Sequence, residues 1–293
     1  MKRTDHAQDE EAVTQSLREL FREGYQSIAV CLAHSYTFND HELRIAEIAK
    51  KIGFAHISLS SQLTAMVKMI PRGMSATADA YLTPVMKTYV ENFRRGFVGT
   101  LHSNSSTRCQ FMQSDGGLVD FRLLSGLRSI LSGPAGGLVG YAKTTYDPAD
   151  GKAVIGFDMG GTSTDVSRYA GKYEHVFETN TAGITIQSPQ LDINTVAAGG
   201  GSILVWKNGL FMVGPDSAGA HPGPACYRKG GPLTVTDANL FLGRLRPEYF
   251  PKIFGSSEDL PLDTDVVARK FEELTAIINE VGNNLTPEEV AIG

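Results

Sequence analysis

The sequence predicts an α/β fold, and three observations carry that prediction. Near the start, an amphipathic helix, an apolar strand, a second amphipathic helix and a second strand follow one another. That spacing belongs to a layered unit with parallel strands. In the second half, short β segments separated by glycine turns suggest an antiparallel meander. The 293 residues are 42% hydrophobic, enough apolar material for a large core in one or two domains.

Residues 9–24 place Val13, Leu17, Leu20 and Phe21 on one helical face, and Gly24 suits the stop. Residues 27–33 read as a buried strand. Asp40 is expected to cap a second helix carrying Leu43, Ile45, Ile48 and Ala49 and ending at Gly53, with residues 55–59 as the next strand. No strand precedes the first helix, so this segment has the look of the end of a domain. A long helix is expected over residues 76–96, kinked at Pro84. A short strand at residues 110–113 leads into the turn Ser114-Asp115-Gly116-Gly117. The string Ser132-Gly133-Pro134-Ala135-Gly136-Gly137 opens a helix to about Thr145, with Ser132 as its cap. Polar residues 146–152 mark a boundary, which divides the chain into domains 1–146 and 147–293.

Strands follow at residues 153–158, 165–169 and 173–178. Glycine and proline dominate residues 197–232, as irregular loops around the apolar segments 203–206 and 210–213. At Thr286-Pro287-Glu288-Glu289 a cap, a first-turn proline and a capping-box glutamate begin a helix, and Gly293 follows almost at once. These features predict an internal piece of a longer protein.

A net charge of -5 with no basic run argues against nucleic acid as a partner. Cys31, Cys109 and Cys226 lie far apart with no CxxC pair, which reads as thiols of a reducing compartment. The first residues lack an apolar signal core, and no apolar run reaches the length of a membrane span. The expected location is the cytosol.

The chemistry centres on Asp158-Met159-Gly160-Gly161-Thr162-Ser163-Thr164-Asp165, directly after an apolar strand. A phosphate chain needs converging backbone N–H donors, and glycine lets the backbone come close. Thr162, Ser163 and Thr164 add hydroxyls. An aspartate at a strand end can hold hydrated Mg²⁺ beside the phosphates; Asp158 is the first choice and Asp165 the second. No Walker lysine follows. A second cluster, Gly199-Gly200-Gly201, either shapes the nucleotide cleft or hinges. The third, at residues 132–137, offers an anion site at a helix N-terminus or else serves close helix packing. His34 and His41 could form a metal pair or be two satisfied loop histidines. His221 and Cys226 lie in a dense loop and are open to a substrate-facing role. Asp237 precedes an amphipathic helix, where an N-cap explains it; His221 and Asp237 are weak catalytic candidates.

The string at residues 156–169 resembles the second phosphate motif of the 5-oxoprolinase/hydantoinase A family. Further stretches agree in the same order: Ala33-His34-Ser35-Tyr36 with His41-Glu42, residues 114–117, residues 131–137, residues 197–202, and residues 217–227 with Thr236-Asp237-Ala238-Asn239. The resemblance covers nearly the whole chain and favours the 5-oxoprolinase branch over hydantoinases. It implies an actin-like ATPase fold of ribonuclease-H-like type, incomplete at both ends. It implies ATP and Mg²⁺ as cofactors and ATP-dependent hydrolysis of 5-oxo-L-proline to L-glutamate in glutathione metabolism. It also implies a homo-oligomeric complete enzyme. Family members carry another Asp-rich Gly-Gly-Thr motif near their start and a glycine-rich adenosine-contacting segment, and neither is found here. The isolated chain is therefore expected to bind ATP weakly and to leave 5-oxoproline unchanged. The alternatives are a catalytically silent nucleotide-binding fragment, another cyclic-amide hydrolase, or a kinase-like phosphotransferase of the same superfamily.

Overall fold

Helical spacing of apolar residues builds the first layer. In a computed structural model describing residues 9–97, 107–181 and 183–293, α1 (Glu10–Arg22) begins where the Asp9 carboxylate accepts from the Ala12 amide. It buries Leu17 in the same core as Ile45, Ile48 and Ala49 of α2 (Asp40–Ile52). The strands β1 (Ser27–Val30) and β2 (His56–Leu59) pair in parallel, Ser27 opposite His56 and Val30 opposite Leu59. That much follows the sequence reading. Asp40 is the first helical residue and Asn39 occupies the cap position, without a side-chain bond.

β1 stops three residues short of its expected end because the backbone beyond it binds side chains. The Leu32 amide donates to Glu42 Oε1 at 2.9 Å, and Arg72 Nη2 donates to the Leu32 and Ala33 carbonyls. Glu42 and Arg72 are both fully buried. Buried charges persist only with partners, and Glu42 has them: Ser60 Oγ and the Ser61 amide also donate to it. Burial pushes its carboxyl up, but these donors hold it below the usual range.

After α3 (Ser60–Leu63), α4 (Met69–Arg95) starts seven residues before the expected point and runs through Pro84. Proline lacks the N–H that the Ala80 carbonyl would accept. Ser27 Oγ takes its place, donating to Ala80 O at 2.6 Å. On the same helix, nearly buried Asp79 accepts from Ser58 Oγ, Thr83 Oγ1, Ser125 Oγ and the Leu127 amide. His56 Nε2 lies 3.3 Å from it, and Lys87 Nζ sits 3.2 Å from His56 Nδ1. An ammonium only donates, so Nδ1 accepts and the ring proton sits on Nε2, facing Asp79.

β3 (Gln110–Met112) and β4 (Leu118–Asp120) form a hairpin around the turn at residues 114–117. In α5 (Ser132–Thr144), Ser132 is helical; Leu131 takes the cap position, and its amide donates to Ser114 Oγ. The chain then runs through β5 (Val154–Met159), β6 (Thr164–Tyr169), β7 (His175–Val176), β8 (Thr179–Thr181), β9 (Ile184–Ile186), β10 (Gln190–Leu191) and β11 (Ile193–Val196). The third meander strand expected at residues 173–178 shrinks to β7, which pairs with β10. β11 takes its place beside β6, antiparallel, with Val196 opposite Thr164, so the sheet order is β11-β6-β5.

The apolar segments expected among irregular loops are strands: β12 (Ser202–Lys207) and β13 (Leu210–Ser217) form a hairpin. Its turn, Asn208-Gly209, holds two left-handed residues (φ 54° and 76°), the conformation a tight hairpin favours. Three helices follow, α6 (Val235–Phe241), α7 (Thr264–Asn279) and α8 (Pro287–Ile292). Thr286 and Glu289 cap α8 reciprocally, as the sequence predicts.

Two compact units result. One holds Met1–Val154 and Arg168–Asp192; the other holds Ile155–Ser167 and Ile193–Gly293. A cut at residue 146 differs from this division, because residues 147–154 and 168–192 join the first unit. The second unit packs Cys226, Val267, Phe271 and Ile278 at its centre. Among the described residues, no helix is long and apolar enough to cross a membrane.

Burial pushes the Asp79 carboxyl up, but hydrogen bonds from His56, Ser125, Ser58 and Thr83 overcome it and hold the group far below its ordinary value. A folded pKa below the unfolded value of about 3.9 stabilises fully above that value and fades as pH falls through it. Asp79→Asn should cost roughly 2 kcal/mol at neutral pH and flatten the acid loss of stability. Thermal unfolding at pH 3 and pH 7 measures both; equal pH dependence in the two proteins would contradict this role.

Candidate functional site

The turn between β5 and β6 is built from backbone. The Gly160 amide donates to the Ser163 carbonyl at 2.9 Å and closes it. A second loop, residues 198–201, lies against it. The Gly200 amide donates to Gly160 O at 3.0 Å, the Gly201 amide to Gly161 O at 2.6 Å, and Thr164 Oγ1 to Ala198 O at 2.6 Å. A Cβ on Gly199 would stand 2.8 Å from Gly160 O and from the Gly161 carbonyl carbon. One on Gly200 would stand 2.7 Å from Thr236 Oγ1, and one on Gly201 2.9 Å from Gly161 O. No side chain fits there, and that is why three glycines occur in a row.

The sequence left these glycines either shaping the nucleotide cleft or hinging, and the hydrogen bonds show where their amides are turned. The Gly199 amide donates to Ser202 Oγ, and the Gly200 and Gly201 amides are already taken by the facing loop. All three therefore buttress the β5–β6 turn. The amides of Gly161, Thr162 and Ser163 enter no hydrogen bond among the described residues, and Gly161 and Thr162 are exposed. Those donors are available to an anion.

Asp158 is exposed at the end of β5, and its carboxylate has no hydrogen-bond or ion-pair partner among the described residues. Asp165 Oδ1 accepts from Thr195 Oγ1 at 2.6 Å, a bond across β6 and β11. The two aspartates thus differ: one is open, the other joins strands. Among the described residues no group of three or more His, Cys, Asp or Glu side chains could hold a metal ion. A cation beside Asp158 would rely on water and on a bound phosphate for its other ligands, the habit of Mg²⁺. The residues fit a hydrated Mg²⁺ with a phosphate chain.

Asp237 has the capping role that the sequence offered beside its weak catalytic candidacy, but as the third residue of α6, with Thr234 at the N-cap. It is fully buried. Oδ2 accepts from the Thr234 amide, Thr234 Oγ1 and the Ala225 amide, and Oδ1 accepts from the Cys226 amide. It completes a capping box on α6 and anchors residues 225–226. Cys226 is fully buried in the core. Burial, and then neighbouring Asp237, push its thiol far up, so it offers no thiolate nucleophile. His221, in the same loop, is exposed. His34 and His41 are also exposed; the nearest aromatic rings are Tyr36 for the first and Phe38 for the second. At α5, Gly133 has open space around it and Gly136 meets nothing closer than Met112 at 4.0 Å. Close helix packing is not what those glycines serve.

Sequence reasoning missed Thr236, Ser202 and the buried Glu42–Arg72 pair. Thr236 was visible only as a neighbour of Asp237. Its amide and Oγ1 both donate to Gly200 O at 2.8 Å.

Comparison with known proteins adds the following. The family model described as Hydantoinase/oxoprolinase matches residues 72–293, and that of the Hydantoinase/oxoprolinase N-terminal region matches residues 3–53. A 5-oxoprolinase of Saccharomyces cerevisiae is 62% identical over 97% of this chain and 22% of its own length. A 5-oxoprolinase of Dictyostelium discoideum is 53% identical over 96% of this chain and 23% of its own length. The chain thus spans less than a quarter of these curated relatives. Among solved structures, an ATP-dependent caprolactamase from Pseudomonas jessenii aligns with 100% of this chain and 42% of its own (28% identity, TM-score 0.64). A nucleotide-free acetone carboxylase aligns with 97% of this chain and 39% of its own (24% identity, TM-score 0.73) and shares the fold.

The crowding at the glycine loop makes opposite predictions for two glycines. Gly199→Ala should destabilise the chain by roughly 1–3 kcal/mol through overpacking. Gly140→Ala, in open space inside α5, should be neutral or stabilise by up to about 1 kcal/mol. Denaturant unfolding of both variants checks this, and a shared sign would contradict the geometry.

Proposed function

The chain belongs to the hydantoinase/oxoprolinase family, and on that premise we propose that residues 158–165 are one phosphate loop of an ATP-dependent lactam hydrolase. The reaction proposed is the opening of 5-oxo-L-proline to L-glutamate by the complete enzyme. One observation carries the site: the amides of Gly161, Thr162 and Ser163 have no partner among the described residues, beside the open carboxylate of Asp158. Relatives named 5-oxoprolinase at 53–62% identity support the substrate. The mixed α/β architecture and the likeness to an ATP-dependent caprolactamase support ATP. An actin-like ATPase fold, a cytosolic location and a homo-oligomeric complete enzyme belong to the same proposal.

The amides of Gly161, Thr162 and Ser163, unpartnered among the described residues, would donate to anionic oxygens, and Thr162 would add a hydroxyl at the exposed tip. Asp158 cannot favourably touch phosphate; it would hold a hydrated Mg²⁺, which would supply charge neutralisation for the phosphates. The glycine ladder fixes these donors before ligand arrives, so little reorganisation accompanies charge development. ATP, when bound, supplies the phosphoryl group that makes a poorly electrophilic lactam carbonyl reactive. His221 is the exposed titratable side chain of the loop anchored by Asp237 and is the group available to face substrate. Asp237 orders that loop from within.

A second reading, a chain that by itself binds nucleotide weakly and turns nothing over, is favoured by the single phosphate motif in the sequence. Calorimetry with Mg-ATP on the isolated chain should therefore give a dissociation constant well above micromolar; submicromolar binding, or ADP release dependent on 5-oxoproline, would contradict it. In the full-length enzyme, Asp158→Ala should reduce ATP hydrolysis by at least about a hundredfold, within the range of a lost metal or electrostatic contact. A near-normal rate would remove Asp158 from the metal site.

A further inference from the structure

We propose that Thr236 is a positioning residue for the phosphate loop, acting through a relay of peptide groups that ends on the Thr162 amide. The proposal rests on the phosphate reading of residues 158–165. The relay can be followed bond by bond. Thr236 donates twice to the Gly200 carbonyl, from its amide and from Oγ1, each at 2.8 Å. That carbonyl shares a peptide group with the Gly201 amide, which donates to Gly161 O at 2.6 Å. The Gly161 carbonyl in turn shares a peptide group with the Thr162 amide, which has no partner among the described residues. Donor leads to acceptor through two successive peptide groups, and the open end is an exposed N–H.

A parallel relay lies beside it. The Ser202 amide donates to Gly199 O, the Gly200 amide of that peptide group donates to Gly160 O, and the Gly161 amide is the open end. Two peptide relays therefore feed two adjacent free donors. The difference is at the root: the second starts from backbone, whereas the first starts from a side chain that substitution can change.

Three physical consequences follow. Hydrogen bonds in a chain polarise one another, so a donor at the root strengthens the N–H at the tip. Thr236 is the second residue of α6, where a helix leaves an amide without an intrahelical acceptor; the Gly200 carbonyl accepts it. The hydroxyl adds a second donor to the same oxygen, and a methyl group on Gly200 would stand 2.7 Å from it, so hydroxyl and glycine are fitted to each other. Asp237, the next residue, keeps this first turn in register through its bonds to Thr234.

The test uses full-length enzyme carrying this chain, with steady-state kinetics in Mg-ATP and in 5-oxoproline. Thr236→Val keeps the shape and removes the hydroxyl; it should raise KM for Mg-ATP about fivefold, the scale of one net hydrogen bond, with KM for 5-oxoproline unchanged. Thr236→Ser should restore the wild-type value. Thr236→Ala removes the hydroxyl without requiring a branched fit and carries the same expectation, should the valine variant fold poorly. Asp158→Ala is run alongside. Loss of ATP hydrolysis in Asp158→Ala with Thr236→Val and Thr236→Ala unchanged in KM for Mg-ATP overturns the relay and leaves the phosphate loop standing. Normal ATP kinetics in all of them overturns both. A Thr236→Ser enzyme as impaired as Thr236→Val also overturns the relay, since the hydroxyl would then not be the active element.

Discussion

The Gly200 amide donates to the Gly160 carbonyl at 3.0 Å, and the Gly201 amide to the Gly161 carbonyl at 2.6 Å. These two bonds join one glycine loop to another through main chain alone, and they are possible only where no Cβ stands between. The carbonyls of the β5–β6 turn are thereby turned inward, toward the supporting loop. Because carbonyl and following amide are antiparallel within a peptide group, the amides of Gly161 and Thr162 are left facing the other way. An anion site made of backbone needs this separation, with acceptors held behind and donors kept free in front. The side chains around the ladder serve the same end: Thr164 grips Ala198, Ser202 receives the Gly199 amide, and Thr236 holds Gly200.

Buried carboxylates order the rest of the chain in a comparable way, each within its own unit. Glu42 gathers donors from Leu32, Ser60 and Ser61; Asp79 joins α4 to β2 and to residues 125–127; Asp237 joins α6 to residues 225–226. None of the three is open to solvent. Their full sets of donors distinguish them from Asp158, whose carboxylate is exposed and unpartnered among the described residues. Partner count, more than residue type, separates the acid that orders structure from the acid available for chemistry.

What could be read from sequence follows from the range of the interactions involved. The parallel pair β1–β2 and the cap of α8 depend on local periodicity and on contacts between near neighbours, and both are plain in the residues. The glycine triplet is packed against Gly160 and Gly161, a partner about forty residues earlier and beyond any local pattern. The sequence therefore left the triplet between cleft and hinge, whereas the structure shows its amides bonded to protein. β11 replaced the expected third meander strand for the same reason: its partner β6 lies across a stretch of chain that no local pattern spans. Pro84 suggested a kink, and only the structure revealed Ser27 as the donor that satisfies the Ala80 carbonyl.

The central claim is that one glycine loop offers donors and the other supports it. Amide-resolved NMR of the chain titrated with Mg-ATP tests it most directly. The account predicts that the amides of Gly161, Thr162 and Ser163 exchange quickly with solvent and shift first on titration, while those of Gly200 and Gly201 stay protected and move little. Fast-exchanging Gly200 and Gly201 amides that carry the largest shifts would contradict it.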